Sequence, residues 1–135
     1  MIVDTSVLYS WANTAEPSHE AASQLLNGSD EALVVTPYVL AELDYFLLTR
    51  LGVRHEVATI RALLGPAWEI AKIGQAQLAV ALDIVEQYAD SKIGLADAAN
   101  IVVAQAYGTR QIATLDHRHY AALRFPDGSP VEILP

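Results

Sequence analysis

Met1-Ile2-Val3-Asp4-Thr5-Ser6 decides the fold, because it places a short apolar run directly before an acidic residue and a turn. A run of this kind is typical of a strand buried within a parallel sheet. Four further segments have the composition of short strands: Leu33 to Val35, Trp68 to Ile73, Gln111 to Leu115 and Val131 to Leu134.

Helical patterns separate these strands. Apolar residues repeat at helical spacing around Val7 and Ala21, from Val39 to Leu47, from Arg54 to Leu64, from Gln75 to Tyr88 and from Leu95 to Tyr107, with a short helical turn over His119 to Leu123. Thr36-Pro37 reads as a helix N-cap followed by a proline at the first helical position. The alternation predicts one α/β domain over residues 1–135, a three-layer α/β/α sandwich with a parallel sheet of four to five strands.

Composition excludes several classes of protein. The 135 residues are 53% hydrophobic and 18% charged, which suits one globular domain and not a disordered chain. The absence of cysteine excludes a disulfide scaffold, a thiol nucleophile and any metal site with sulfur ligands. No apolar run approaches the roughly 20 residues of a membrane span, and Asp4 stands where a signal peptide is basic. We therefore expect a cytoplasmic protein with no membrane partner.

The formal net charge of −8 works against sequence-blind attraction to nucleic acid or to anionic lipid. A chain of this charge is better suited to bind a basic protein.

Acidic residues follow the predicted strands. In open parallel sheets the ligand site lies at the carboxyl ends of the strands. Asp4 ends the first strand, Asp116 follows the fourth, and Asp97 lies in the first turn of the helix that leads into the fourth. Glu42, five residues after Pro37, lies within reach of the same edge of the sheet. The sequence therefore predicts four carboxylates in one cleft.

Such a cluster needs a cation. Two carboxylates about 5 Å apart repel by about 3 kcal/mol at an effective dielectric constant of about 20. Hard oxygen ligands select Mg²⁺ or Mn²⁺ over zinc. A site of this kind polarises a phosphate, lowers the pKa of a bound water and supports hydrolysis of a phosphodiester.

Each acid also has a plainer interpretation. Asp4 could serve only as an N-cap, Asp97 as a first-turn acid favoured by the helix dipole, Asp116 as the start of an Asx-turn and Glu42 as a solvated helix residue. The joint pattern favours a functional cluster.

Polar and basic neighbours are candidates for substrate binding. Thr5, Ser6 and Thr114 flank the acids, although turns and caps explain them nearly as well. Arg118 could bind a phosphate through its planar fork of donors, or belong to an exposed loop.

Four motifs carry a family resemblance: Asp4-Thr5-Ser6, the segment from Pro37 to Glu42, Gly94-Leu95-Ala96-Asp97-Ala98-Ala99, and Ala113-Thr114-Leu115-Asp116. Together, in this order, they resemble the PIN-domain ribonucleases, and among these the VapC toxins of bacterial toxin–antitoxin pairs.

The resemblance implies a Mg²⁺-dependent endoribonuclease whose catalytic quartet is Asp4, Glu42, Asp97 and Asp116. We expect Asp4, Asp97 and Asp116 to hold the metal and Glu42 to complete the site or to orient the attacking water. Members of the family cut either transfer RNA or the sarcin–ricin loop of 23S ribosomal RNA. The residues around Glu42 and Asp116 favour the sarcin–ricin loop as the substrate.

The resemblance also implies partners: a cognate VapB antitoxin whose tail enters the acidic cleft, a second copy of the chain in a homodimer, and a toxin–antitoxin hetero-oligomer. The apolar segments from Tyr38 to Leu51 and from Val53 to Leu64 could supply the dimer interface or serve as ordinary core. For the RNA groove, Lys72, Lys92, Arg110 and Arg118 are the basic candidates.

Two other classes of function compete. A receiver-like signalling domain needs a paired acid after the first strand and a lysine after a late strand, and the sequence has neither. A catalytically silent PIN module that only binds proteins would share the fold, and the complete quartet argues against it.

Overall fold

Five short strands and seven helices alternate along the computed structural model, which describes residues 1–135. The strands are β1 (Ile2–Val3), β2 (Leu33–Val35), β3 (Trp68–Ile70), β4 (Gln111–Ala113) and β5 (Glu132–Leu134). The helices are α1 (Thr5–Ala12), α2 (His19–Asn27), α3 (Pro37–Leu51), α4 (Val53–Leu63), α5 (Gln75–Gln87), α6 (Leu95–Ala106) and α7 (His117–Ala122), with a 3₁₀ turn at Ala89–Ser91.

All strands pair in parallel in the order β3-β2-β1-β4-β5. The chain adds β2 and β3 on one side of β1 and then returns to place β4 and β5 on the other side. The order of the strands therefore reverses between β1 and β4, where Ile2 is in register with Ile112. In such sheets a crevice opens at the carboxyl ends of these two strands.

The two faces of the sheet bury separate cores. Met1, Val3 and Val35 face one side, where α1 to α4 cover them, whereas Ile2 and Ile112 face the other side, where they pack with residues of α6 and α7. The predicted three-layer α/β/α sandwich is thus confirmed, with five strands.

The helix ends follow the predicted signals. The Thr36 side chain accepts a hydrogen bond from the Val39 backbone at 3.2 Å, and Pro37 occupies the first helical position of α3. Gly52, at a φ of 91°, ends α3 and turns the chain into α4.

Three predicted boundaries were wrong by a few residues. β3 ends at Ile70, not Ile73, because its only partner, β2, ends at Val35 opposite Ile70. β4 ends at Ala113, not Leu115, because side-chain hydroxyls take the backbone N–H groups of the two residues after Thr114. The last helix begins at His117, because the Asp116 side chain caps it.

None of the helices is both long enough and apolar enough to cross a membrane.

Candidate active site

The four predicted acids line one cavity of about 530 Å³ at the carboxyl ends of β1 and β4. Each acid comes from a different segment: Asp4 follows β1, Glu42 lies on α3, Asp97 on α6, and Asp116 follows β4. The structure therefore brings together the four carboxylates that the sequence placed at this edge of the sheet.

Asp4 is held by a set of side-chain donors. It is only 6% exposed, and its Oδ2 accepts hydrogen bonds from Thr114 Oγ1 at 2.9 Å and Ser6 Oγ at 3.0 Å. Its Oδ1 accepts a long one, 3.5 Å, from Asn100 Nδ2. Although Asp4 precedes α1, its side chain makes no cap hydrogen bond to that helix. Asp4 thus occupies the N-cap position of α1, but capping does not account for its carboxylate.

Asp97 is the carboxylate whose ionisation is most perturbed. Its side chain is 19% exposed, and its Oδ1 accepts a hydrogen bond from Tyr120 Oη at 3.2 Å. Burial, and next the negative charge of Asp4, raise the pKa of Asp97 from 3.8 to about 6, although the Tyr120 hydrogen bond acts in the opposite direction. The raised pKa thus reflects first the burial of the Asp97 carboxyl and then its closeness to the charge of Asp4.

Asp116 has two functions in the structure. One oxygen caps α7 by accepting from the His119 backbone, three residues on, at 3.2 Å, so Asp116 acts as a helix N-cap and does not form the Asx-turn that the sequence suggested. The other, Oδ2, lies 2.9 Å from the Nδ1 atom of the His119 ring, which also lies 3.4 Å from Asp97 Oδ2. His119 thus stands between two of the carboxylates.

Glu42 lines the cavity from α3 but is exposed and forms no hydrogen bond or salt bridge. Its carboxylate is the one member of the quartet that is free to turn toward a bound molecule.

The three predicted hydroxyls lie beside the acids in different states. Thr114 is fully buried, donates to Asp4 and accepts from the Asp116 backbone at 3.0 Å, whereas Ser6 donates to Asp4 and accepts from the Leu115 backbone at 2.9 Å. Both hydroxyls therefore fix the Asp4 carboxylate relative to the backbone that leads to Asp116. Thr5 lines the cavity with a buried hydroxyl that has no hydrogen-bond partner.

Arg118 does not line the cavity and is exposed, and none of Lys72, Lys92 or Arg110 lines it either. Arg110 instead lies 3.7 Å from Asp127. The basic side chains that the structure brings to the cavity are Arg50 and His119.

Sequence reasoning also missed two buried polar residues behind the acids. Tyr120 is fully buried, and its hydroxyl accepts from Asn100 Nδ2 at 2.8 Å while donating to Asp97. Burial, together with the charges of Asp4 and Asp97, raises the pKa of Tyr120 well above 10, so this hydroxyl keeps its proton. The one signal in the sequence was Asn100, a polar residue that stands between Ala98-Ala99 and Ile101-Val102-Val103.

The donors of the site suit a hard divalent cation. All four acids offer carboxylate oxygens, and a cation would compensate both the burial and the neighbouring negative charge that raise the pKa of Asp97. No group of three or more His, Asp or Glu side chains is arranged to hold a metal ion as the side chains stand. Since His119 Nδ1 contacts both Asp97 and Asp116, these two carboxylates converge on the position that the ring nitrogen occupies.

Comparisons with known proteins agree with this fold. The PIN domain family model matches residues 1–124. The chain is 50% identical to "Ribonuclease VapC26" of Mycobacterium tuberculosis (strain ATCC 25618 / H37Rv) over 135 residues, which cover 100% of both chains.

Solved structures share the fold at low sequence identity. The crystal structure of Mycobacterium tuberculosis VapC20, described as a sarcin–ricin loop cleaving toxin, is similar with a TM-score of 0.86 at 22% identity, over 99% of this chain and 98% of that one. A toxin–antitoxin complex from Klebsiella pneumoniae is similar with a TM-score of 0.70 at 19% identity, over 90% of this chain and 91% of that one.

Proposed function

The chain belongs to the PIN-domain family, as a ribonuclease toxin of the VapC type, and we propose that Asp4, Glu42, Asp97 and Asp116 form its catalytic site for cutting a structured RNA. The observation that carries this proposal is the convergence of four carboxylates from four segments on one cavity at the switch point of the sheet. A purely structural role does not explain why a fold would keep these carboxylates together, since burial, and next the charge of Asp4, raise the pKa of Asp97 to about 6.

Ribonucleases of this family depend on a metal ion, and for this chain we propose Mg²⁺, with Mn²⁺ as a substitute. Asp4, Asp97 and Asp116 would hold the ion, since carboxylate oxygens are its preferred ligands. When bound, it would polarise the scissile phosphate and lower the pKa of the attacking water.

The protein's own groups prepare the rest of the reaction. Thr114 and Ser6 fix the orientation of Asp4, and Tyr120 fixes that of Asp97. Glu42, which has no partner, would orient the attacking water and accept its proton. The water oxygen bonds to phosphorus as the bond from phosphorus to the 3′ oxygen breaks, and that oxygen takes up a proton. The products carry a 5′-phosphate and a 3′-hydroxyl.

For the substrate we propose the sarcin–ricin loop of 23S ribosomal RNA. The residues around Glu42 and Asp116 favour this RNA over transfer RNA, and VapC20, which has the same fold, is described as cutting the loop. Ribosomes lie in the cytoplasm, where we propose that the toxin acts.

For the partners we propose an antitoxin and a second copy of the chain. An acidic chain of net charge −8 suits a basic antitoxin segment entering the cavity, and the similar Klebsiella structure is a toxin–antitoxin complex. Exposed apolar side chains on α3 and α4, among them Tyr45, Leu48 and Val57, offer area for a symmetric contact.

The test is to incubate the protein, free of antitoxin, with purified ribosomes and with total transfer RNA in Mg²⁺, and to map every new 5′ end. We expect discrete ends with 5′-phosphates inside the sarcin–ricin loop, and none after chelation by EDTA. Cuts in transfer RNA alone would replace the proposed substrate. No new end in either RNA would favour the silent, protein-binding module.

A further inference from the structure

One arginine at the cavity is held by aromatic rings. The guanidinium carbon of Arg50 lies 4.5 Å from the centre of the Phe46 ring and 5.2 Å from that of Tyr9. The two rings pack edge to face, with centres 6.3 Å apart and planes at 70°. We refer to Tyr9, Phe46 and Arg50 as the aromatic–arginine platform, and all three line the acidic cavity.

The charge of Arg50 is not neutralised within the protein. Arg50 forms no salt bridge and no side-chain hydrogen bond, although it shares the cavity with the catalytic quartet and with Glu16. It is also the only lysine or arginine that lines this cavity. Because the guanidinium rests on the two rings and has no hydrogen-bond partner in the protein, its N–H donors are available to a ligand.

The platform extends the catalytic site along α3. Glu42, Phe46 and Arg50 are spaced four residues apart and so lie on one face of the helix. At 1.5 Å per residue, Arg50 lies about 12 Å along the helix axis from Glu42. This backbone spacing of about two helical turns suits a phosphate next to the one under attack in the same strand.

A guanidinium suits this task better than an ammonium group would. Its planar fork matches two phosphate oxygens, and its flat face stacks on aromatic rings. An RNA strand that approaches four carboxylates in a chain of net charge −8 needs a local cation on its path. Arg50 is the side chain that supplies this charge at the cavity.

We propose that the aromatic–arginine platform is an RNA-binding subsite, in which Arg50 binds a phosphate next to the one that is cut. This inference rests on the proposed ribonuclease function and adds to it a residue that determines substrate affinity.

The test compares Arg50→Gln with Arg61→Gln. Arg61 is an exposed arginine on α4 outside the cavity, so the control substitution removes the same charge. A labelled hairpin with the sarcin–ricin loop sequence is first bound in EDTA, where no cutting occurs, at several salt concentrations. We expect Arg50→Gln to weaken binding about tenfold and to lower the slope of log K against log[salt] by about 0.7 to 0.9, with Arg61→Gln near wild type.

Single-turnover cleavage in Mg²⁺ then separates affinity from chemistry. Arg50→Gln is expected to raise the protein concentration for half-maximal rate about tenfold and to leave the maximal rate within about twofold. Arg50→Lys keeps the charge without the fork and should fall between wild type and Arg50→Gln. It also serves as the second variant if Arg50→Gln fails to fold.

Equal RNA affinities of Arg50→Gln and Arg61→Gln would overturn the inference even if the wild-type protein cuts RNA. An effect of Arg50→Gln on protein association alone would also overturn it and assign Arg50 to a protein interface. If the wild-type protein did not cleave RNA, that result would instead contradict the proposed function. The binding comparison in EDTA would still decide whether Arg50 binds RNA.

Discussion

Replacement of Tyr120 by phenylalanine removes one buried hydroxyl from the network behind the carboxylates. The Tyr120 hydroxyl donates to Asp97 at 3.2 Å and accepts from Asn100 Nδ2 at 2.8 Å, and the side chain is fully buried. Phenylalanine keeps the packing of the ring. The substitution therefore tests the hydrogen bonds and not the core.

The magnitude follows from the groups left without partners. In Tyr120→Phe the Asn100 amide keeps only the 3.5 Å contact to Asp4, and its Oδ1 already lacks a partner. An unsatisfied buried polar group costs about 1–3 kcal/mol in the free energy of unfolding. Asp97 loses the donor that fixes its orientation, and loss of such a support typically weakens metal binding by about 10–100-fold.

The assay pairs urea unfolding of the metal-free protein with calorimetric titration of Mg²⁺ or Mn²⁺. Tyr107→Phe is the matched control, because the Tyr107 hydroxyl also donates to a carboxylate, that of Glu69, on an exposed surface outside the cavity. We expect the control to match wild type in both measurements. If Tyr120→Phe bound the metal as tightly as Tyr107→Phe does, the positioning role of Tyr120 would be refuted.

Three further predictions concern the acids and their neighbours. Thr114→Val removes the buried hydroxyl shared by Asp4 and Asp116, so urea unfolding should show a loss of about 1–3 kcal/mol; an unchanged midpoint would contradict this. Because Asp97 ionises near pH 6 in the fold but near 3.8 when unfolded, the unfolded state loses its proton first. The free energy of unfolding of the metal-free protein should therefore fall by up to about 2 kcal/mol from pH 4 to pH 7, after allowance for solvent screening, and Asp97→Asn should lack this fall. Glu42→Gln should change the free energy of unfolding by less than about 0.5 kcal/mol, because the Glu42 side chain is exposed and forms no hydrogen bond. The same substitution should slow RNA cleavage more than about 100-fold. Cleavage at the wild-type rate would exclude Glu42 from the chemistry.

The sequence predicted the layers and the position of the site because both depend on local patterns. Short apolar runs mark the buried strands; Asp4 directly follows β1, and Asp116 lies three residues after the end of β4. Once the strands are parallel, their carboxyl ends must share one edge. The amino-acid pattern alone was therefore enough to name the four acids.

The supporting residues could not be predicted, because they depend on packing between distant segments. Arg50 reaches the cavity only because α3 packs beside Tyr9 of α1. Asn100 and Tyr120 lie on different helices, and the hydrogen bond between them forms only when α6 and α7 pack together.

Arg118 was expected at the site, where His119 stands instead. Capping by Asp116 starts α7 at His117, so residues 118 and 119 lie about 100° apart around the helix. His119 therefore faces Asp97 and Asp116, whereas Arg118 faces solvent. The sequence also allowed an exposed loop at this position. A loop would not have determined whether Arg118 or His119 faces the cavity.

We propose that the carboxylates hold a metal ion needed for RNA cleavage. The most direct test measures the rate at which Asp97→Asn and Asp83→Asn cleave the RNA of purified ribosomes, with Mg²⁺ and with EDTA. Asp83 is an exposed acid on α5 outside the cavity, so both variants lose one negative charge. We expect Asp83→Asn to cut at the wild-type rate with Mg²⁺, Asp97→Asn to cut more than about 100-fold more slowly, and EDTA to stop all cleavage. Equal rates for the two variants, or cleavage that continues in EDTA, would contradict a catalytic metal site at these carboxylates.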